Sequence, residues 1–473
     1  MTRGPAALAP GVVAVALACG ACAPHARYVA PAAETAPAFK ENANWKPAQP
    51  ADALVRGRWW EVFGDPALNA LEERIAVSNE TLKAAEAQFQ AARAAVRGAR
   101  SALFPQVAAA PTVARAQQSG NLATSSLHAA YSDFLLPADV SYEADVWGRV
   151  RSAINLSRSA AQATAADLEA AALGLHAELA VDYFTLRGLD REKALLDTTV
   201  AAYARALELT ENRFRGGIAS QADVAQAETQ LETTRSQAVD IGVARASLEH
   251  AIATLVGRPA SAFSMSASPL TASPPDVPAG VPSDLLERRP DIAAAERRVA
   301  VADAQIGVTT AAFYPILTLS GAAGFEASAF GSWLATASNF WSVAPAALVT
   351  VFDAGRRRSA SDQARALYAE SASVYRETVL AAFQEVEDEL ATLRILDEEA
   401  TMQGRAVAAA ERSLDLATNR YRGGVVSYLE VITAQSAALA NQRAAVDVLI
   451  RRMDATVLLI KALGGGWDSA LLR

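Results

Sequence analysis

A six-residue stretch containing a Gly-Gly pair occurs twice in this sequence. It is Arg213-Phe214-Arg215-Gly216-Gly217-Ile218, and at an offset of 207 residues it recurs as Arg420-Tyr421-Arg422-Gly423-Gly424-Val425. Three further pairs keep the same order: Gly148-Arg149 with Gly355-Arg356, Leu186-Arg187 with Leu393-Arg394, and Phe104-Pro105 with Tyr314-Pro315. Matches that keep one order along the chain indicate two copies of one structural unit.

Each copy predicts the same order of elements. Ala-rich runs favour helices, prolines stop them, and Gly-Gly breaks the longest ones. The first copy predicts a helix over 79–102, strands over 106–116 and 136–147, a helix from 148 to 215 and another over about 220–256. The second copy predicts a helix over 291–312, a strand, a loop around 326–339, a strand to 352, and helices over 355–422 and up to 463.

The predicted domain organisation follows from this duplication. The divisions are a signal peptide over 1–21, an N-terminal tether over 22–57, a first repeat over 58–263, a Pro-rich linker over 264–282, and a second repeat with the C-terminal tail over 283–473. The longest helix of each copy would span about 100 Å at ~1.5 Å per residue. Helices of that length are typical of coiled coils rather than compact domains.

The first residues have the pattern of an export signal. Arg3 supplies the positive start, and a short apolar stretch over 6–18 precedes Cys19 and Cys22. A cysteine that follows small residues resembles the bacterial lipobox, and Gly20-Ala21 before Cys22 favours Cys22 over Cys19 as the lipidated residue. We therefore expect diacylglycerol and palmitate on the N-terminal cysteine, with an ordinary cleaved signal as the alternative.

Composition excludes several functional classes. The net charge is −8, which argues against a nucleic-acid partner. A product cleaved before Cys22 retains no cysteine pair, and the four histidines show no metal-binding spacing: His25, His128, His176 and His250. Paired-His, nucleophile-elbow and phosphate-loop motifs are missing from the sequence. We therefore expect no enzyme activity, no metal site and no cofactor other than the lipid.

One predicted strand alternates in a way that suits a membrane. Ala138, Val140 and Tyr142 would share one face, and Asp139, Ser141 and the following acids would share the other. A membrane barrel needs an apolar outside and a polar lumen. The alternative is a half-buried strand of a soluble sheet, since alternation alone does not distinguish the two.

The strand count predicts the oligomer. Four strands per chain cannot close a barrel alone, and a sheet in lipid must close because open edges leave backbone groups unpaired. Two subunits would give about eight strands, which fill with side chains. Three subunits give a twelve-stranded barrel with an open lumen.

The sequence resembles the TolC-like outer-membrane factors, in particular the lipoprotein (NodT-type) subgroup of resistance–nodulation–division efflux systems. The matching residues are Tyr28-Val29-Ala30-Pro31; Trp59-Trp60 with Phe63-Gly64-Asp65-Pro66 and Leu68; Asn79; Phe104-Pro105; Asp145-Val146-Trp147-Gly148-Arg149; Arg289-Pro290-Asp291-Ile292; Tyr314-Pro315; Arg420-Tyr421 with Gly424; and Leu463-Gly464-Gly465-Gly466-Trp467. The resemblance extends over essentially all of the chain after the signal.

The resemblance implies a fold class that is mainly α with a small β part. Three subunits would form a long α-helical barrel and a twelve-stranded transmembrane β-barrel, with a belt of shorter elements around the equator. It also implies a location in the outer membrane of a Gram-negative bacterium, with the helices in the periplasm. The function implied is that of a passive exit duct for drugs or other small molecules.

The resemblance also implies a gate at the inner end of the helices. Its residues would be Glu430, which forms an acidic ring, its repeat equivalent Asp223, and the adjoining Arg420 and Tyr421. A second acid and a charged residue that the family often carries are replaced here by Thr433 and Val426.

The two Gly-Gly turns would face the partners. Gly216, Gly217, Gly423 and Gly424 would form tips that contact a periplasmic adaptor protein, which in turn joins an inner-membrane resistance–nodulation–division transporter. Two other functions are considered: the outer-membrane duct of a type I protein secretion system, and a periplasmic coiled-coil protein that inserts no strands.

Overall fold

The computed structural model describes residues 28–33, 38–41, 57–119, 130–275, 277 and 285–467. The predicted signal peptide, both cysteines and most of the tether lie outside the described residues. In the part of the chain that is described, no helix combines the length and the apolar character needed to cross a membrane.

The four longest helices have matched lengths in the two copies. Helix α3 is Arg149–Arg215 and α7 is Arg356–Arg422, each 67 residues long. Helix α4 is Gln221–Leu255 and α8 is Tyr428–Ala462, each 35 residues long. Both pairs repeat at the offset of 207 that the sequence motif shows.

Shorter helices precede the strands of each copy. They are α1 (Pro66–Ser78) and α2 (Glu80–Ser101) in the first copy, and α5 (Leu285–Arg288) and α6 (Pro290–Ala311) in the second. Short 3-10 turns lie at Trp59–Phe63, Ala260–Ala262, Phe330–Ser332 and Thr336–Ser338.

Helix α1 begins as the sequence indicates. Asp65 caps it by accepting from the backbone N–H groups of Ala67 and Leu68 at 2.8 and 3.2 Å, with Pro66 in the first turn. Helix α6 also begins at its proline, and Arg289 O accepts from Ala293 N at 3.2 Å. The guanidinium of Arg289 donates to the backbone oxygen of Ala462 at 3.0 Å.

Five antiparallel strand segments form a sheet that is four strands wide. They are β1 (Gln106–Ala109), β2 (Thr112–Ala116), β3 (Tyr131–Ala144), β4 (Ile316–Ala327) and β5 (Asn339–Leu348). β3 pairs with β4 and β4 with β5, while β1 and β2 both lie along the other edge of β3. The single strand predicted over 106–116 is therefore broken, and the break falls at Pro111, which has no N–H to give to a ladder.

Two predicted strand ends were also wrong. β3 ends at Ala144 rather than at residue 147, because Asp145 turns inward and accepts from the N–H groups of Val150 and Arg151 at the start of α3. β5 ends at Leu348 rather than at 352, and the turn that follows is held by Asp353, which accepts from Gly355 N at 3.1 Å.

The two faces of the sheet differ in polarity, and the register shows which residues share a face. Val140 lies opposite Gly321, and Gly321 lies opposite Val343; that face also carries Trp341, which is 75% exposed. On the other face Ser141 lies opposite Ser320. The alternation predicted from β3 therefore continues into β4, and β5 adds Trp341 and Val343 to the apolar face.

Contacts divide the chain into two compact units. One holds the described residues within 28–32, 88–164 and 294–375 and contains the whole sheet. The other holds the described residues within 33–87, 165–293 and 376–467 and contains both Gly-Gly turns. Each unit draws on both sequence copies, so the limits predicted from the sequence remain predictions.

A buried acid and a largely buried imidazole pair in the second unit. Glu72 is fully buried, and its Oε2 lies 2.6 Å from Nδ1 of His176, whose ring stacks on Trp60 at 4.5 Å. Burial raises the pKa of Glu72 to about 9 and lowers that of His176 to about 4. Both side chains are therefore uncharged near neutral pH, which suits an apolar site.

Two extended segments lie along equivalent places on the long helices. Part of the predicted linker crosses α3, where Leu270 N donates to Arg187 O at 2.9 Å and Ser268 N donates to Asp190 at 2.8 Å. On α7, residues 38–41 cross instead, and Glu41 accepts from Arg394, the repeat equivalent of Arg187, at 2.9 Å. We call these segments the linker strap (265–270) and the N-terminal strap (38–41).

Candidate functional site

The two Gly-Gly turns close their helices in the same way. In the first, Gly217 N donates to Phe214 O at 2.9 Å and Ile218 N donates to Arg213 O at 2.8 Å. In the second, the equivalent bonds are Gly424 N to Tyr421 O at 3.0 Å and Val425 N to Arg420 O at 2.9 Å. This pair of bonds is the Schellman motif, which satisfies the last carbonyls of a helix.

Only one glycine of each pair is required by the backbone. Gly217 and Gly424 have φ of 74° and 73°, in the left-handed region that glycine adopts at little cost. Gly216 and Gly423 lie outside that region, and a Cβ on either would meet backbone oxygens no closer than 3.5 Å. The positive φ of each turn therefore falls on its second glycine.

The two equivalent acids beyond the turns behave differently. Asp223 forms a capping box with Ser220: Asp223 N donates to Ser220 Oγ at 3.1 Å, and Ser220 N donates to the Asp223 carboxylate at 2.9 Å. Glu430 occupies the same position in α8, but its carboxylate lies 3.2 Å from Nη1 of Arg420. Glu430 therefore spans its hairpin, whereas Asp223 serves its own helix start.

An aromatic cluster holds the second turn from inside. Tyr421 and Tyr428 are 5% and 2% exposed, with ring centroids 5.2 Å apart, and Ala227 and Val431 complete the buried set. Val426 packs against this cluster and contributes apolar contact. Burial raises the pKa of Tyr428 to about 12, so its hydroxyl stays protonated.

Arg213 joins the first turn to the second. Its guanidinium lies 4.6 Å from the centre of the Tyr421 ring, and its Nη1 donates to Arg422 O at 3.1 Å. The sequence shows Arg213 as part of the repeated turn and carries no signal for this role, because its partners lie in the other copy. Thr433, where a second family acid is expected, donates to Leu429 O of its own helix at 2.9 Å.

The outside of both turns is apolar and exposed. Ile218 and Val425 are 69% and 71% exposed, and Leu429 is 56% exposed. A shallow groove lies beside them, between α4 and α8, lined by Ala225, Gln226, Thr229, Gln230, Leu429 and Ile432. In the described ranges, no group of three or more acidic, His or Cys side chains is placed to hold a metal.

Comparison with known proteins agrees with this geometry. The family model for outer membrane efflux proteins matches residues 71–258 and 281–465, one match for each copy. The chain belongs to the outer membrane efflux protein family. The resemblance to outer-membrane efflux factors that the sequence motifs indicate is thereby confirmed, and the lipoprotein subgroup stays a prediction.

Relatives in this family match over nearly their whole length. The antibiotic efflux pump outer membrane protein ArpC of Pseudomonas putida is 31% identical over 451 residues, 95% of this chain and 93% of ArpC. The outer membrane protein OprJ of Pseudomonas aeruginosa is 30% identical over 457 residues, 96% of this chain and 95% of OprJ.

A solved structure, that of the outer-membrane channel OprN, superposes with a TM-score of 0.88 at 28% identity, covering 94% of this chain and 100% of OprN. The predicted fold class, mainly α with a small β part, is confirmed, as is the outer-membrane location.

Proposed function

We propose that this family member is the outer-membrane channel subunit of a tripartite efflux pump and serves as a passive exit duct for small molecules. The observation that carries the proposal is the sheet: its apolar face exposes Trp341 and Val343, and the opposite face carries serine and acidic side chains. A sheet of this kind fits lipid on one side and water on the other.

The edges of the sheet support a homotrimer. Within the described residues, β5 forms one edge, and β1 with β2 forms the other. A sheet four strands wide in lipid must find partners for both edges, because unpaired backbone groups are costly there. Three copies would supply twelve strands, enough for a closed barrel with a water-filled lumen.

The tip supports a gate and an adaptor site. The Arg420–Glu430 pair and the Tyr421 cluster hold the second hairpin near the turn, where a closing element would lie. The exposed apolar residues Ile218, Val425 and Leu429 offer contact area to a periplasmic adaptor protein. We propose such an adaptor, and an inner-membrane resistance–nodulation–division transporter behind it, as the partners.

The lipid anchor belongs to the same proposal. Cys22, rather than Cys19, would carry diacylglycerol and palmitate and hold the N-terminus at the inner leaflet of the outer membrane. The N-terminal strap fits this arrangement, because residues 38–41 follow Cys22 closely and are bound to α7 through Glu387 and Arg394.

The proposal is tested by membrane fractionation and conductance of the full-length protein. We expect the protein in the outer-membrane fraction, a heat-modifiable trimer on electrophoresis, and discrete channels when the trimer is added to planar bilayers. A soluble periplasmic protein, or a monomer without conductance, would show that the strands do not form a shared barrel.

A further inference from the structure

Arg213 of α3 joins the first hairpin tip to the second through its charged side chain. The guanidinium lies over the Tyr421 ring at 4.6 Å, donates to Arg422 O at 3.1 Å, and lies 3.9 Å from where a Cβ of Gly424 would stand. All three contacts belong to the last turn of α7 and the residues after it. Arg213 therefore fixes the end of the first hairpin to the end of the second.

Arg420 is the repeat equivalent of Arg213, but its guanidinium makes a different contact. Arg420 pairs with Glu430 of its own hairpin at 3.2 Å. The equivalent acid of the first copy, Asp223, is held by Ser220 in the capping box. Asp223, the repeat equivalent of the acid that pairs with Arg420, is therefore engaged by Ser220. The Arg213 guanidinium contacts the other hairpin instead.

The chemistry of the contact suits a cation. The Schellman bonds of the second turn occupy the carbonyls of Arg420 and Tyr421, and the carbonyl of Arg422 accepts from Arg213 instead. The negative end of the helix dipole also attracts a positive charge there. The face of an aromatic ring attracts a guanidinium as well. The Tyr421 ring is itself held by Tyr428 at 5.2 Å, so the guanidinium rests on a fixed surface.

We propose that Arg213 is a latch that holds the two hairpins of one subunit together at the tip and so keeps the gate closed. This rests on the proposed function, because it assumes that the tip is the gate.

The test compares Arg213→Ala with Arg215→Ala in purified full-length trimers. Arg215 is a matched control: it lies in the same last turn of α3, and its guanidinium donates to Asn212 of its own helix. Conductance in planar bilayers near pH 7 and hydrogen exchange of the amides of residues 423–425 are measured for both. Trimer migration on electrophoresis confirms that each variant is assembled.

We expect Arg213→Ala to raise the conductance and the exchange rate at residues 423–425 by roughly five- to fiftyfold, the range for loss of one cation–π contact and one hydrogen bond. Arg215→Ala should match the wild type. Tyr421→Leu should reproduce the effect, and the double variant should add little to it, since both changes remove one contact.

The outcomes separate the latch from the channel. Equal exchange rates and equal conductance in Arg213→Ala and Arg215→Ala would overturn the latch while leaving the channel intact. Absence of conductance in every protein, with faster exchange in Arg213→Ala alone, would overturn the channel and support the contact. Additive effects of Arg213→Ala and Tyr421→Leu would show that the two residues act separately, which also overturns the latch.

Discussion

At the tip, the backbone is left-handed at Gly217 and Gly424 but not at Gly216 and Gly423. The second position of the repeated Gly-Gly motif therefore requires a positive φ, and the first position does not. The same contrast applies to the acids, because Asp223 completes a capping box and Glu430 reaches across to Arg420. Residues that are equivalent in sequence thus differ in what holds them.

The glycines provide the first prediction. Gly217→Ala and Gly424→Ala should each destabilise their turn by about 1 kcal/mol, because a Cβ is strained at positive φ. Gly216→Ala and Gly423→Ala are the matched controls and should cost a few tenths of that. Hydrogen exchange at the turn amides measures the difference, and equal effects at all four positions would contradict it.

Larger side chains at the same positions should affect transport. We expect Gly217→Leu or Gly424→Leu to abolish drug efflux in cells while the trimer still assembles, because the tip that faces the adaptor is distorted. Minimum inhibitory concentrations and trimer migration report the two properties. Unchanged drug resistance would show that the tips do not contact the adaptor.

Glu430 provides a prediction about ions. Three copies of this carboxylate around a narrow axis would attract divalent cations, so Glu430→Ala should reduce their block of conductance in planar bilayers by several-fold. Asp223→Asn should have a smaller effect, since that carboxylate is held by Ser220. A block that Glu430→Ala leaves unchanged would remove Glu430 from the gate.

At the scale of elements, α3 and α8 each carry a half-buried carboxyl side chain with a raised pKa. Burial raises the pKa of Asp454 on α8 to about 7, with the nearby Asp182 of α3 adding to the shift. The pKa of Asp182 is raised to about 6, also mainly by burial and then by the charge of Glu178. A carboxyl whose pKa is raised on folding stabilises the fold at low pH, and that contribution is lost as the pH rises through the folded value.

The pH prediction follows from this sign. Asp454→Asn should raise the melting temperature at pH 8, where the wild-type carboxylate is charged, by the equivalent of about 1–3 kcal/mol. The gain should shrink towards pH 4, where the wild-type group is protonated in the folded state. Asp447→Asn, on the exposed side of α8, serves as the control. A gain independent of pH would mean that Asp454 does not titrate as its burial implies.

Most elements could be predicted because local signals set their ends. Proline, glycine and capping residues mark the helices, and predicted ends fall within a few residues of the observed ones. β3 begins at Tyr131 rather than at residue 136, because its first residues pair with β2, from Thr112 opposite Leu135 to Ala116 opposite Tyr131. That pairing is a non-local contact, which local pattern does not encode.

The candidate site also contains residues that could be predicted from the sequence and a contact that could not. The turns, the acids and Tyr421 could be placed from the repeat and the family resemblance. The contact of Arg213 with Tyr421 could not, because it joins residues from different copies and depends on how α3 and α7 pack. Asp223 and Glu430 also look alike in sequence, and only their hydrogen-bond partners distinguish them.

At the scale of the whole molecule, each of the two longest helices binds an extended strap at the same position of its copy. The linker strap contacts Arg187 and Asp190, and the N-terminal strap contacts Arg394, although the two segments share no sequence pattern. A tether that would begin at a lipid therefore ends in contact with the second copy.

Lipidation provides the last prediction. Cys22→Ser should abolish incorporation of labelled palmitate, whereas Cys19→Ser, the matched control, should leave it unchanged. Outer-membrane fractionation of Cys22→Ser should still show some trimer, because the proposed barrel would insert through its own apolar face. Labelling that persists in Cys22→Ser and is lost in Cys19→Ser would reverse the assignment.

The equal lengths of α3 and α7, and of α4 and α8, set a rule for how such a chain can change length. Seven residues inserted into one hairpin alone would shift its tip by about 10 Å and separate Arg213 from Tyr421. Insertions and deletions in one copy should therefore persist only with a matching change near the equivalent position of the other. Natural length variants of this chain should therefore keep the two hairpins equal in length.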